Sequence, residues 1–517
     1  MTTTDHLVAL FEESGIETVF GFPCEQMDPY YGSLADSSLR HVLARSEASA
    51  ALMADGYARA KRTVGVVDGV GGPGAAYIGA GLCEAAGASS PVLALTGDNG
   101  RDIRGREVIQ DADNEALLDE HVKGTADPES APRALEAVAD ALSLATTGVP
   151  VPPHVNPPED VLTDDPDPPD RSVSAAYPAE RPAPDREDVE TVVELLRAAD
   201  RPVVLAGEGV VRAGAAADLT AFADRTNTPV VTSINGKGAV PEDESFALGT
   251  AGRWGFSAVA NEALETADLV VGLGTRFSDL TTVGWSLLAE DADVVHVDLD
   301  EHWLGKNYDP TVAVYADLRA TLRALLDAVG ESAGSDRAER IDNLATDYAD
   351  WRANFEGELT STDEPIKPQR VVGELNRQIP GDGVLVSATS FSGFFSGAFY
   401  QVSEPGLGYL QARGSDGINV CLPQAIGVQI AQPDRTVVAL SGDGGIGYHI
   451  ADLETAAREE LPLTVVILNN DGLGSSEASQ LSSGSFELST NFHDDVDYAQ
   501  VARGLGCAGT RVDSVEA

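Results

Sequence analysis

Two short polar segments near the C-terminus carry residue types that could hold a divalent cation on a phosphate. Asp443 stands in Gly442-Asp443-Gly444-Gly445, and Asn470 in Asn469-Asn470-Asp471-Gly472. The Asp443 carboxylate, the Asn470 amide oxygen and the Gly472 carbonyl would supply three oxygen ligands. Mg2+ takes about six and completes its shell with water and substrate phosphates. Gly442, Gly444 and Gly445 would let the backbone approach a diphosphate, whose charge the N-terminus of a following helix favours. Either segment alone is ordinary turn punctuation. Together, with a helix and two strands involved, they point to a metal–diphosphate site.

The elements that must position them run from Thr436 to Gly472. Val437 to Leu440 is short, apolar and β-branched, as a buried parallel strand is. A helical pattern follows, with Ile450, Leu453, Ala456 and Ala457 on one face. Leu463 to Leu468 reads as a second buried strand. Polar, Gly-rich segments end both strands, which is where open α/β sheets bind ligands.

GDG followed by NNDG resembles the signature of the thiamine-diphosphate-dependent 2-oxo acid decarboxylases and carboligases. The resemblance implies that Asp443, Asn470 and the Gly472 carbonyl hold Mg2+ on the cofactor diphosphate. A second stretch, Ser46-Glu47 with Met53-Ala54-Asp55-Gly56-Tyr57-Ala58-Arg59, resembles the family's HE…MADGYAR segment. There the resemblance makes Glu47 the catalytic carboxyl that hydrogen-bonds the aminopyrimidine ring. By pattern alone, Glu47 sits at a strand end or first helical turn, where it would complement the helix dipole. Gly72-Pro73-Gly74 resembles the SGPGA loop of the pyrimidine pocket. Ile418, in Gly417–Gly427, falls where the family places the apolar residue that bends the cofactor, a proximity effect; by composition alone it is equally a core residue. Gln110-Asp111 and Lys123 echo the family's FQE…K segment loosely. His449 reads as structural.

Composition bounds the class. At 517 residues the chain should form about three domains. The formal charge of −49 with 43% apolar residues describes a folded, acid-coated protein of halophilic kind rather than a disordered tail. That charge argues against nucleic acid as a partner. Cys24, Cys83, Cys421 and Cys507 form no CxxC pair, and three of them sit in apolar or Gly-rich context and read as reduced small hydrophobes. The start, MTTTDHLVAL, resembles no signal peptide, and no run of 18 apolar residues marks a membrane span, so a cytoplasmic enzyme is expected.

Alternating strand and helix patterns give an α/β fold of three doubly wound parallel-sheet domains. Residues 1–165 would bind the pyrimidine, 190–330 form a middle domain, and 365–517 bind the diphosphate. A Pro-rich acidic linker over 166–189 and a connecting segment over 331–364 join them. Five blocks of the middle domain resemble acetolactate synthases: RPVVLAGEG, PVVTSINGKGAVPED, ADLVVGLGTRFSDL, HVDLDEHW and LGKN. In that subfamily the domain carries FAD as a structural group, and Gly252, Gly274, Arg276 and Asp298 would lie near it here. The Gly207/Gly209 and Gly272/Gly274 pairs are by themselves fragments of a dinucleotide fingerprint. Ser390-Phe391-Ser392-Gly393 replaces the subfamily's Gly-Gln-His-Gln block; Ser390 and Ser392 are expected to bind diphosphate instead. Leu473-Gly474-Ser475-Ser476-Glu477 departs from the subfamily's LGM.RQWQ. The end, VDSVEA, leads the reading to expect a shortened C-terminal domain.

The resemblance implies decarboxylation of a pyruvate-like 2-oxo acid followed by carboligation, as in acetolactate synthase. The alternative is a benzoylformate- or pyruvate-decarboxylase-like enzyme that releases an aldehyde. Glu25 favours it as a proton donor, because pyruvate decarboxylases carry an Asp where acetolactate synthases carry a Gly; as a bland residue Glu25 is a solvated loop side chain. A non-catalytic cofactor-binding paralogue is the third reading, and intact Glu47, Asp443 and Asn470 weigh against it. Active sites of the family form between chains, so the resemblance implies a homodimer or homotetramer, with a regulatory subunit left open.

Overall fold

In a computed structural model the described residues are 1–167, 171–253, 256–330, 337–484, 486–493 and 496–516. They pack as two compact units, residues 1–180 with 412–511 and residues 181–411 with 512–517. The three expected domains are thus distributed over two units.

The first unit contains six parallel strands, β1 (Thr18–Gly21), β2 (Arg40–Leu43), β3 (Gly65–Gly69), β4 (Val92–Thr96), β5 (Thr125–Ala126) and β6 (His154–Val155). Their order is β2-β1-β3-β4-β6-β5. Val66, Val67 and Val92 through Leu95 are fully buried, because a parallel sheet is covered on both faces. Chain direction across the sheet reverses between β1 and β3, so their carboxyl ends open a crevice of the kind that binds ligands. The helix Glu47–Lys61 leaves β2, with the Ser46 side chain accepting from the Ser49 amide as an N-cap. The helix Pro73–Gly87 leaves β3, with proline in its first turn.

One expectation for the linker fails. Residues 168–170 lie outside the described residues, but Ala175 is fully buried, and its carbonyl accepts from the Val64 amide at 2.9 Å. An antiparallel bridge joins Thr63 to Ala176. The apolar residues within this Pro-rich stretch therefore bind it to the first unit instead of leaving it at the surface.

The second unit is built on β7 (Pro202–Ala206), β8 (Val230–Thr232), β9 (Ala247–Thr250), β10 (Leu269–Leu273), β11 (Asp293–Asp298) and β12 (Val312–Tyr315), all parallel. Their order is β12-β11-β10-β7-β8-β9, a doubly wound sheet whose switch point lies between β7 and β10. In the connecting segment, 331–336 lie outside the described residues, and helices Ala338–Ala353 and Glu356–Leu359 follow. The parallel pair β13 (Val384–Ser387) and β14 (Tyr409–Gln411) completes this unit.

The rest of the first unit carries the parallel pair β15 (Val437–Gly442) and β16 (Thr464–Leu468). Between them the expected single helix is two, Asp443–His449 and Asp452–Arg458. Gly444, Gly445 and Gly447 weaken the first piece, and its short run ends before Ile450. No helix among the described residues is long and apolar enough to cross a membrane.

Candidate active site

Asp443 begins the helix at the end of β15 and is buried. Its Oδ1 accepts from the Gly444 amide at 3.0 Å and its Oδ2 from the Gly472 amide at 2.9 Å. Asn470, just beyond β16, brings its side-chain amide to 3.1 Å from the Gly472 carbonyl oxygen and 3.2 Å from Asp443 Oδ1. With its nitrogen inward the amide donates to both oxygens. With its oxygen inward it would complete a three-oxygen set for a cation. Burial, with Asp471 nearby, pushes the Asp443 carboxyl above its ordinary range against the two amides, a deficit of positive charge that a cation would fill. This donor set of one carboxylate, one amide and one carbonyl fits Mg2+. The loop is braced from outside: the Leu473 amide donates to Thr490 O, and Phe492 to Asp471 O, both at 2.7 Å. Nothing local in the sequence announces that brace.

The flanking glycines sit in close packing. A Cβ on Gly445 would lie 2.4 Å from the Ile418 carbonyl oxygen, and one on Gly444 2.8 Å from Leu473 Cδ2. Gly442 alone is open, with its nearest neighbour at 3.9 Å. Ile418 itself is half-buried on a turn, so it is not a core residue.

Glu47 is buried at the first position of its helix. A Cβ on Gly74 would come within 2.9 Å of Glu47 Oε1, and one on Gly69 within 3.0 Å of its Cγ. The carboxyl thus lies against the Gly69–Gly74 loop at the crevice between β1 and β3. Burial raises its proton affinity, opposed by its own backbone amide. Gly72 needs its positive φ of 62° to make the turn, and exposed Pro73 starts the helix.

Two amides that the sequence reading passed over hold this loop. Gln26 Oε1 accepts from Gly71 N at 3.0 Å and Asn114 Oδ1 from Gly72 N at 2.7 Å. Asn114 in turn donates to Asn156 Oδ1 at 3.0 Å, and Asn156 to Asp98 at 2.9 Å. All four are buried. Their sequence neighbourhoods read as turns and helix starts, and only the fold makes them a network.

Other positions singled out from the sequence have their own surroundings. Glu25 is exposed at the start of a short 3-10 turn, and no hydrogen bond or ion pair of its carboxylate is found among the described residues. Lys123 donates to the carbonyls of Leu144, Thr147 and Val149, capping a helix end rather than facing a ligand. Asp111 accepts from the Gly105 and Glu107 amides and shapes its own loop.

In the second unit Ser390 opens the helix Ser390–Phe399 with φ 65°. The buried Ser392 hydroxyl donates to the carbonyls of Thr389 at 3.0 Å and Ala388 at 3.5 Å. At the switch point of the six-stranded sheet, Gly207, Gly209 and Gly274 pack backbone to backbone. A Cβ on Gly207 would sit 2.1 Å from Gly274 O, and one on Gly209 2.7 Å from Gly274 Cα. Three of the four glycines thus share one contact, whereas a Cβ on Gly272 would lie 2.3 Å from Phe277 Cζ. Beside them Arg276 stacks 5.2 Å from the Trp303 ring, and burial with Arg212 nearby lowers its proton affinity. Asp298 is buried and accepts from the Asp300 amide at 3.0 Å. Gly252 is enclosed, its amide on Asn261 Oδ1 at 2.9 Å.

The comparisons with known proteins agree with this layout. Residues 1–117 match the N-terminal TPP binding domain of thiamine pyrophosphate enzymes, 189–325 the central domain, and 392–517 the C-terminal TPP binding domain. A probable acetolactate synthase large subunit of Methanococcus aeolicus is 30% identical, over 99% of this chain and 88% of its own length. An acetolactate synthase of Mycobacterium bovis is 31% identical over 100% and 84%. A glyoxylate carboligase of Escherichia coli O157:H7 is 30% identical over 99% and 88%. The chain belongs to the thiamine pyrophosphate enzyme family and, within it, is acetolactate-synthase-like.

Proposed function

We propose that this protein decarboxylates a pyruvate-like 2-oxo acid and joins the remaining fragment to a second oxo compound. Thiamine diphosphate supplies a nucleophilic ring carbon and an electron sink for the pair left when CO2 departs. The observation that carries the reading is the meeting of the buried Asp443 carboxylate, the Asn470 side-chain amide and the Gly472 carbonyl, which with the amide oxygen inward would hold Mg2+ on the cofactor diphosphate. Glu47, whose proton affinity is raised by burial, suits a carboxyl that exchanges a proton with a ring nitrogen. Gly72, Pro73 and Gly74 would form the wall beside it, and Ile418 would bear on the cofactor from its turn. In the first unit the open Gly442 is the remaining backbone position suited to a diphosphate.

Carboligation is favoured over simple aldehyde release because the relatives' names include two kinds of ligating enzyme. The switch point between β7 and β10, with Gly274, Arg276 and Asp298, supports an FAD position. The active form is a homodimer or larger in this reading, working in a halophilic cytoplasm.

The deciding experiment is pyruvate turnover at high salt with Mg2+ and thiamine diphosphate, with products analysed with and without FAD. Acetolactate supports the reading; acetaldehyde alone replaces it with the decarboxylase. No CO2 from pyruvate, with cofactor bound, moves the donor to another 2-oxo acid.

A further inference from the structure

The loop beside the Glu47 carboxyl has no side chain of its own to hold it. Apart from glycines at 69, 71, 72 and 74 it contains only Val70 and Pro73, whose side chains form no hydrogen bonds. Its place is therefore set from outside, through the Gly71 and Gly72 amides that donate to Gln26 and Asn114. The fit is close: a Cβ on Gly71 would lie 2.5 Å from Gly97 O and 2.9 Å from Asn114 Nδ2. Of the two anchors Asn114 is the fully satisfied one, since the buried Gln26 Nε2 finds no acceptor among the described residues.

Donors and acceptors leave Asn114 one orientation. Its oxygen takes the Gly72 proton, so its nitrogen faces Gly97 O at 3.3 Å and Asn156 Oδ1 at 3.0 Å. Asn156 is oriented in turn: its nitrogen donates to Asp98 Oδ2 at 2.9 Å, and its oxygen also accepts from Thr96 Oγ1 at 2.8 Å. Asp98 is held by Arg104 Nη2 at 2.9 Å and by the Asn99 amide at 2.7 Å. Thr96 gives its one proton to Asn156, so His154 Nε2, 2.7 Å away, donates to Thr96. Burial keeps that imidazole neutral, lowering the His154 pKa to about 4. Thr96, Asp98, Asn114, His154 and Asn156 are all buried, so removing one leaves a partner unsatisfied. Every member lies within residues 1–165, as do Glu47 and the loop. The whole assembly therefore stands on one chain's side of a site formed between chains.

We infer that Asn114 is a positioning residue for the proposed reaction: oriented by Asn156 and Asp98, it fixes the Gly71–Gly74 turn against the Glu47 carboxyl. The inference rests on the proposed role of Glu47. Asn114 acts through the loop, and the loop has little room to shift, because a Cβ on Gly74 would already lie 2.9 Å from Glu47 Oε1.

The test uses the full-length protein with Asn114→Ala, Glu47→Gln and the two combined, and with Asn156→Asp alone and together with Asp98→Asn. Hydrogen exchange of the apoprotein reads the segment that contains Gly71 and Gly72, calorimetry reads thiamine diphosphate affinity with Mg2+, and turnover reads kcat. Asn114→Ala should speed exchange of that segment and lower kcat, each by about 10-fold or more, with affinity within about threefold. In the Glu47→Gln background the same substitution should lower kcat by no more than about twofold. Asn156→Asp sets two carboxylates face to face and should also loosen the loop and slow turnover. Adding Asp98→Asn restores a donor between them and should return both readouts to within about threefold of the parent. A full further loss in the Glu47→Gln background, or faster exchange with kcat intact, overturns the inference, while cofactor binding by the unsubstituted protein keeps the functional reading. No binding by the unsubstituted protein overturns both. If Asn114→Ala fails to fold, the Asn156 and Asp98 pair decides alone.

Discussion

The Asn470 side-chain amide lies 3.2 Å from Asp443 Oδ1. Nitrogen inward, it donates to that carboxylate; oxygen inward, it would join Asp443 and the Gly472 carbonyl around a cation, and burial leaves the Asp443 carboxyl short of positive charge. Asp443→Ala should therefore weaken Mg2+-dependent thiamine diphosphate binding by about 100-fold or more, ~2.7 kcal/mol. Calorimetric titration with and without Mg2+ checks this. Equal affinity in the variant would remove the cation site from the account.

Glu47→Gln keeps the shape of the side chain against Gly74 but loses the exchangeable proton. Turnover should fall by about 10²–10⁴-fold, with thiamine diphosphate affinity within about threefold, because the diphosphate anchor is distant in sequence and chemistry. The exchange rate of the cofactor ring proton, followed by NMR, should fall in parallel. A variant with ordinary turnover would deny Glu47 its role.

The same substitution has a signature in stability. Burial makes folded Glu47 bind its proton more tightly than the unfolded chain, whose value is near 4.5. Its contribution is therefore fully present below that pH and is lost as pH rises through the elevated folded value. Apoprotein Glu47→Gln should match the parent in Tm near about pH 4 and exceed it near about pH 7. The opposite ordering at neutral pH would mean that the carboxylate is better stabilised than its burial implies.

Gly274 combines φ of 56° with contacts of 2.6 Å to Leu318 Cδ1 and 2.7 Å to Gly209 Cα for any added Cβ. Gly274→Ala should destabilise the protein by about 2–4 kcal/mol from strain and displaced packing together. Denaturant unfolding measures it. In the proposed reading the variant also loses FAD binding, seen as unquenched flavin fluorescence in a titration.

Lys237 and Glu242 form a fully enclosed ion pair at 2.7 Å in the second unit, and Glu242 also accepts from the Val402 amide at 3.0 Å. Lys237→Ala leaves that carboxylate buried without its cation and should destabilise by about 3–5 kcal/mol. Lys237→Met with Glu242→Leu should recover most of the loss, since an apolar pair replaces two desolvated charges. A double variant no better than the single one would show that the Val402 bond, not the charge pair, dominates.

What the sequence by itself determined is local and periodic. Strand ends were legible at Gly442 and Leu468 because apolar runs stop at Gly, Asp and Asn, and those ends carry Asp443 and Asn470. Glu47 was legible because it follows β2 and opens a helix. Tertiary structure alone decided which distant groups meet. Gln26 and Asn114 reach the Gly71 and Gly72 amides only because β1, β3 and β4 are neighbours in the sheet. Gly445 is small because Ile418 lies over it, and Gly207 meets Gly274 because β7 and β10 pair across the switch point. Lys123 and Ser392 follow the same rule: each satisfies backbone carbonyls that its surrounding fold brings within reach. A hydrogen bond requires its partners at about 3 Å, and for residues far apart in the chain only the topology sets that distance.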